Sequence, residues 1–498
     1  MWLLGRYLRL GSPRICSGVC SLVPPSCSPH STAAPRAQGP LTFSDGGVFK
    51  LKSNWEVARG LLIFRVCSFP SLVRHSEKVG GHSGKVGGQG MEGSYPQIFH
   101  SLPSLVRHSE KMMAVSRRLL GRRLFEWGMK GSVYGQFVAG ETLPEIRECV
   151  ERLRQLGIRP MLAVPIEEDL GQAKSGERWY QQNETVMLDC VDLSAAGGDR
   201  PMMQLKITAL MSADLCKLLS VHLSHPTHRP QLCPTRLVSI MEGEESAFPF
   251  LSEAENTHLR NSLRRLSRIA KHATANRVRV LVDAEYTYMN PALSLVTMAM
   301  MAQCNQSEPW IWNTYQCYLK DSFSLLSLDL GRAESLGLCF GVKLVRGAYM
   351  DKERKLAQQK GYPDPIQQDW EATNQSYQRS LDKMLDLIGQ NGQRYNLIVA
   401  SHNEESVLHA VARMAELGIE RGSGSVSFGQ LLGMCDHVSL TLGQAGFLVY
   451  KSLPYGSVNS VLPYLIRRAQ ENQSVLQGIR KERDLLRWEL KRRLFRQR

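Results

Sequence analysis

A closed barrel of eight parallel strands alternating with helices, a (β/α)8 fold of the α/β class, is the architecture this 498-residue sequence predicts. Short apolar, β-branched runs recur eight times from about residue 130 onward. Amphipathic stretches such as 258–275 and 404–417 lie between most of them, and that alternation predicts parallel strands joined by helical crossovers. Eight units close into a barrel, and each run begins apolar and turns polar at its C-terminal end, the rim on which such barrels carry their chemistry.

The runs follow one another along the chain. "RPMLAVPIEED" (159–169) ends at Glu167, "MQLKITAL" (203–210) carries Lys206, and "VRVLVDAEY" (278–286) carries Asp283. "IWNTYQCYL" (311–319) brings Gln316, "FGVKLVRGAY" (340–349) Arg346, and "NLIVASHN" (396–403) His402. "SVSFGQLLGM" (425–434) brings Gln430 and "FLVYKSLPYG" (447–456) brings Ser452. Each has a bland explanation taken alone: a snorkelling lysine, a helix-capping aspartate, a core histidine. Their recurrence at one end of successive strands points to a site. After the last run, "YLIRRAQEN" (464–472) reads as an amphipathic helix. On it Arg467 and Arg468 stand four and three residues before Glu471, the spacing of ion pairs on one helix face.

Outside the barrel, residues 1–40 contain no Asp or Glu but carry Arg6, Arg9, Arg14 and Arg36 among many serines, the composition of a mitochondrial transit peptide. Residues 41–130 read as an N-terminal arm. Within it "PSLVRHSEK" occurs at 70–78 and again at 103–111, separated by a Gly-, Ser- and His-rich spacer, so 79–111 reads as a flexible insertion, or a splice or gene-model extra. The catalytic barrel spans 131–480 and a basic helix or tail fills 481–498, with Leu486, Leu490 and Leu494 in helical register. That tail suits an anionic membrane surface or a solvated helix. The net charge of +15 comes without an aromatic-interleaved basic stripe, which argues against nucleic acid. Twelve cysteines without a paired framework fit a reducing compartment. The longest apolar stretch, 292–302, is too short to span a bilayer, and no metal-ligand spacing is present.

The motifs "KLVRGAYMDKER" (343–354), "WEATNQSY" (370–377), "VASHNEESV" (399–407), "FGQLLGMCDHVSLTLGQAGFLVYKSLPYG" (428–456) and "YLIRRAQEN" together resemble the proline dehydrogenase family, in family order, over roughly residues 115–480. The resemblance implies a distorted barrel that binds FAD noncovalently at its C-terminal face. It implies oxidation of a cyclic secondary amino acid to an imine, with electrons passed to a quinone. No strand–GxGxxG–helix unit occurs in the chain, in keeping with that picture. The acid-free Arg/Ser start predicts that the first 40 or so residues are removed and that the protein works on the matrix side of the inner mitochondrial membrane.

By the same resemblance Arg467, Arg468 and Lys206 hold the substrate carboxylate, for which paired guanidiniums are suited. Glu471 orients the arginines or reaches the flavin, and Glu167 matches a carboxylate that closes the site. Ala163 departs from the family's "LDYxxEE", leaving this chain with "LAVPIEED". Asp283 supports the cationic amine and its arginine neighbours. Tyr349 and Leu432 form apolar walls around the ring, with Tyr464 packed beside them. The FAD positions are Gln316, Lys343, Val345, Arg346, Gly347, Thr373, Ser401, His402, Asn403 and Gln430. Lys343 stands where bacterial members commonly have arginine, keeping the charge without the fork. Proline-specific relatives usually carry tyrosine where this chain has Ser452, fifteen positions before Arg467. The smaller hydroxyl leaves room for a substituent on ring carbon 4, so trans-4-hydroxy-L-proline is expected over L-proline. The alternatives are an ordinary L-proline dehydrogenase, a barrel aldolase or lyase using Lys206 or Lys343, and a non-catalytic basic binding protein.

Overall fold

The computed structural model describes residues 41–67, 109–166, 176–474 and 476–496, with side chains for all of these except 66–67, 109–116, 467–479 and 496. The transit-peptide reading, most of the insertion and Glu167 therefore lie outside the described residues. All eight apolar runs are strands: β1 (Arg159–Ala163), β2 (Met202–Leu205), β3 (Arg279–Val282), β4 (Ile311–Gln316), β5 (Phe340–Val345), β6 (Tyr395–Ala400), β7 (Val426–Leu431) and β8 (Val449–Pro454). Every neighbouring pair is parallel, and β8 closes on β1.

Strand alternation sorts the side chains. Met161, Met202, Leu281, Trp312, Ile398, Leu448 and Tyr450 pack into one buried cluster, which forms the barrel's inner core. Two residues further along β2, β3 and β8, on the same face, come Gln204, Asp283 and Ser452. A polar layer thus lies directly on an apolar one. Two glycines make the packing possible. A Cβ on Gly341 would lie 2.3 Å from the Trp312 indole, and one on Gly429 would lie 3.0 Å from Ile398.

The helices between strands have ordinary sequence causes. Thr142 and Glu145 form a capping box on Leu143–Gln155, and Ser252 and Glu255 form another on Glu253–Ala275. Asn403 caps Glu404–Glu416 by accepting from the Ser406 amide. The chain enters through a 3-10 turn (Gly46–Leu51) and the helix Asn54–Cys67. The helix Ser109–Gly131 begins with the second copy of "SEK", so the expected loop ends before residue 111. It is interrupted at Gly121, whose φ of 72° departs from helical geometry.

The C-terminal helix begins at Leu476 and runs to Arg496, five residues before the expected boundary. It is neither a free tail nor a uniform membrane face. Leu486 is buried, whereas Leu494 is 61% exposed. Arg493 donates to the Phe49 and Lys52 carbonyls, tying the helix to the N-terminal arm. Glu482, itself buried, accepts from the Cys435 and Asp436 amides at 2.7 and 2.8 Å. Those amides open the helix Asp436–Gln444, where Cys435 has a φ of 56°. Asp436 pairs with Lys451 of β8 at 2.6 Å and with Lys52 of the arm. Burial opposes the Asp436 charge, but the two ammonium groups outweigh it and hold the carboxyl well below its usual range.

Candidate functional site

At the C-terminal end of the barrel the polar layer is a connected set. Lys343, buried on β5, donates to Asp283 Oδ1 at 2.8 Å. The Gln204 amide nitrogen approaches the same oxygen at 3.5 Å, and the Gln204 Oε1 accepts from the Ser452 hydroxyl at 2.5 Å. Four strands, β2, β3, β5 and β8, meet in this chain of contacts. Lys206 follows β2 and opens a short turn (Ile207–Ala209). Near it Glu285 is buried and accepts from the Thr208 hydroxyl at 2.8 and 2.9 Å. Burial pushes the Glu285 carboxyl up, against the opposing pull of Lys206.

Aromatic residues line the loops beyond β3 and β5. Tyr349 packs on Tyr286 with ring centroids 4.5 Å apart, and Tyr286 stacks on Tyr288. Buried Glu353 accepts from the Thr287 amide and hydroxyl, both at 2.7 Å, fastening the same two loops. Tyr464 lies in a cluster with Phe125, Met129, Tyr134, Phe137 and Met434, against which Leu431, the neighbour of Leu432, is packed. Leu432 joins the β8 side through its amide, which donates to the Ser452 carbonyl at 3.1 Å.

The β4–β7 rim carries most of the residues expected to hold a cofactor. The Gln316 amide bridges Asn290 and the Glu285 carbonyl. Val345 ends β5, and Arg346 and Gly347 follow it. Arg346 donates to the Ser406 hydroxyl at 3.0 Å and to Asn374, with Trp370 and Tyr377 against its guanidinium at 5.7 and 5.5 Å. Burial lowers its pKa from the usual value. Among the described residues no carboxylate pairs with it. Ser401 accepts from the Asn403 amide, and His402 Nε2 accepts from the Leu431 amide at 3.1 Å. Two expected residues spend their polar atoms on neighbours within the protein. Gln430 alternates out of the barrel interior and spends its amide on Ser439 and the Ser401 carbonyl. The Thr373 hydroxyl donates to the Asp369 carbonyl one turn back.

Arg467, Arg468 and Glu471 lie on the helix Val458–Ser474, and their side chains are outside the described set. Gln204, Glu285, Tyr286 and Glu353 were missed from sequence. The first two left a readable signal: each sits two residues from a chosen rim residue, Gln204 from Lys206 and Glu285 from Asp283. Among the described residues no group of three His, Cys, Asp or Glu side chains could hold a metal, and no helix is long and apolar enough to cross a membrane.

Residues 147–481 match the family described as proline dehydrogenase. The chain is similar to hydroxyproline dehydrogenase of Xenopus laevis, 83% identical over 499 residues with 100% of both chains covered. Human hydroxyproline dehydrogenase is 50% identical over 477 residues, covering 93% of this chain and 96% of that one. Human proline dehydrogenase 1, mitochondrial, is 32% identical over 623 residues, with 98% of each covered. Among solved structures the fold is similar to proline utilization A from Bdellovibrio bacteriovorus, with a TM-score of 0.54 at 18% identity. That match covers 84% of this chain but only 41% of the solved one, and it speaks to the fold alone.

Proposed function

The chain belongs to the proline dehydrogenase family, and we propose on that premise that it oxidises trans-4-hydroxy-L-proline to the 3-hydroxy form of 1-pyrroline-5-carboxylate, using FAD and passing electrons to a quinone. The observation that carries the choice of substrate is Ser452. It is buried, it lies on the interior face of β8, and it shares a layer with Asp283 and Lys343. A serine there leaves ring carbon 4 both space and a hydrogen-bonding partner. The similarity to proteins named hydroxyproline dehydrogenase supports the same choice.

The donor set fits FAD. Arg346 spends its hydrogen bonds on a hydroxyl and an amide, which suits a guanidinium held for an external diphosphate. It sits beside the first turn of the helix Glu404–Glu416, and Gly347, Ser401, His402 and Asn403 complete that rim. Lys343 brings a cation to the barrel interior, where it favours an anionic reduced cofactor. Bound FAD supplies the two-electron acceptor for a hydride.

The remaining work falls to this chain's own groups. Arg467, Arg468 and Lys206 fix the substrate carboxylate, and Glu471 orients the arginines. Glu167 closes the site. Asp283, anchored by Lys343, supports the bound substrate ammonium, and its carboxylate is an acceptor for the proton that must leave before hydride is lost from the adjacent carbon. Tyr349, with Tyr286, walls the β3–β5 side of the mouth.

The acid-free leader and the mitochondrial relative support a mitochondrial location, on the matrix side of the inner membrane. A surface on the helix Ser109–Gly131 supports peripheral contact there. Leu119, Leu124 and Trp127 are 79%, 62% and 78% exposed, among Arg117, Arg118, Arg122 and Arg123. The test is direct. The purified protein shows flavin absorption near roughly 450 nm, and kcat/KM for hydroxyproline exceeds that for proline by roughly ten- to a hundredfold. Equal or better use of proline makes it an ordinary proline dehydrogenase.

A further inference from the structure

We propose that Gln204 is a positioning residue that sets substrate preference by fixing the Ser452 hydroxyl as a hydrogen-bond acceptor. This rests on the reading that Ser452 faces ring carbon 4. Gln204 was not among the residues the sequence brought forward, yet it joins the substrate side of the barrel to the Lys343–Asp283 pair.

A side-chain amide can present either end to a neighbour. Asp283 settles which end faces which way. Its carboxylate, on the far side of Gln204, attracts the amide NH2 and repels the amide oxygen. The oxygen is therefore left facing Ser452, and it accepts the serine proton at 2.5 Å. A serine that has given its one proton to Gln204 has none for the substrate. What it offers is a lone pair. The group that satisfies a lone pair is a donor, such as a hydroxyl on ring carbon 4. An unsubstituted ring leaves that lone pair buried and unmatched.

The barrel register shows why a side chain on β2 reaches one on β8. The intervening strand is β1, on which Ala163 lies beside Gln204 and Met161, two residues lower, lies beside Ser452. Gln204 and Ser452 are therefore offset by one inward-facing step across β1, with the short Ala163 at the upper level and Met161, part of the apolar core, at the lower.

The experiment compares kcat/KM for trans-4-hydroxy-L-proline and L-proline in the holoenzyme and in Ser452→Ala, Gln204→Met and the double variant. Methionine matches glutamine in length and carries no amide. Any general effect on Asp283 acts on both substrates and cancels in their ratio. The expected result is a fall of about tenfold in the hydroxyproline-to-proline ratio for Gln204→Met, expressed in KM, with no further fall when it is added to Ser452→Ala. An unchanged ratio in Gln204→Met beside a reduced one in Ser452→Ala overturns the role of Gln204 and leaves that of Ser452 standing. An unchanged ratio in Ser452→Ala removes the premise and the proposal together. Should Gln204→Met fail to fold, the unaltered enzyme still decides. trans-4-Fluoro-L-proline carries a substituent that accepts weakly and cannot donate. The expected result is turnover no better than that of proline, and turnover within about twofold of hydroxyproline overturns the proposal.

Discussion

Asp436→Asn removes one negative charge from an enclosed ionic cluster and changes almost nothing in shape. Asp436 is 7% exposed and Lys451 1%, so neither partner gains water when the charge disappears. Lys451 keeps its bonds to the Met434 and Leu431 carbonyls, at 2.5 and 3.2 Å, and Lys52 keeps the more distant field of Glu482. Two ammonium ions then share a pocket with one carboxylate fewer, and the new amide turns a donor toward one of them. Breaking a buried pair from one side costs about 3–5 kcal/mol. Unfolding entropy of roughly 2 cal/mol/K per residue amounts to about 1 kcal/mol/K for a body of this size. The melting temperature should therefore drop by about 3–5 °C, read by circular dichroism at several scan rates. Amide exchange at residues 435 and 436 should speed up together with that of the C-terminal helix, because Glu482 holds both amides. Adding Lys451→Met removes the stranded cation, so the double variant should melt closer to wild type than Asp436→Asn does. A double variant whose loss equals the sum of the two single losses refutes the electrostatic reasoning.

Glu56 is pushed up by burial, but Arg152 and Ser53 outweigh this and hold it down at about 2. Its stabilising share is present above the ordinary carboxylate value of 4.5 and is lost as pH falls through about 2, so Glu56→Gln should flatten the acid limb of a stability profile between those values. Gly341→Ala drives a methyl into Trp312 and should cost about 1–3 kcal/mol in urea unfolding, whereas Gly418→Ala, with nothing near its Cβ, reports only backbone strain. Excising residues 79–111 puts the first "SEK" in the place of the second at the head of the helix Ser109–Gly131, and flavin content and turnover should both survive. Arg468→Met should raise KM for either imino acid by orders of magnitude, an effect of about 2–5 kcal/mol, with FAD retained; loss of FAD at unchanged KM would reassign the residue.

The barrel was legible because parallel strands buried on both faces leave dense apolar runs, and eight such runs admit few other closures. Lys206, Asp283 and Ser452 drew attention for a related reason: a strand that turns polar at one end announces where it meets solvent or ligand. Lys343, inside its run, came forward only through the family resemblance. Gln204 escaped because it sits inside an apolar-looking run and becomes a polar contact only once β2 and β8 are curled toward a common axis. Glu285, in the loop after β3, shows its role only when that loop meets Thr208 beyond β2. Gln430 shows what a strand end alone does not reveal: the side-chain alternation of β7 turns it toward Ser439 in the helix layer. The C-terminal helix shows the limit of periodicity. Leu486, Leu490 and Leu494 form one stripe in sequence, yet the first is buried beside the arm and the last is exposed, since the packed face runs through Glu482, Leu486, Glu489 and Arg493 instead.

The barrel floor imposes an order on traffic. Trp312, Leu281, Met202, Met161, Ile398 and Tyr450 fill the bore completely, each no more than 2% exposed. Nothing can pass through the tube, so a molecule that reaches the layer of Asp283 and Ser452 must depart through the mouth by which it arrived. On the proposed function, the oxidised ring and the electron acceptor share that one doorway and have to take turns at it.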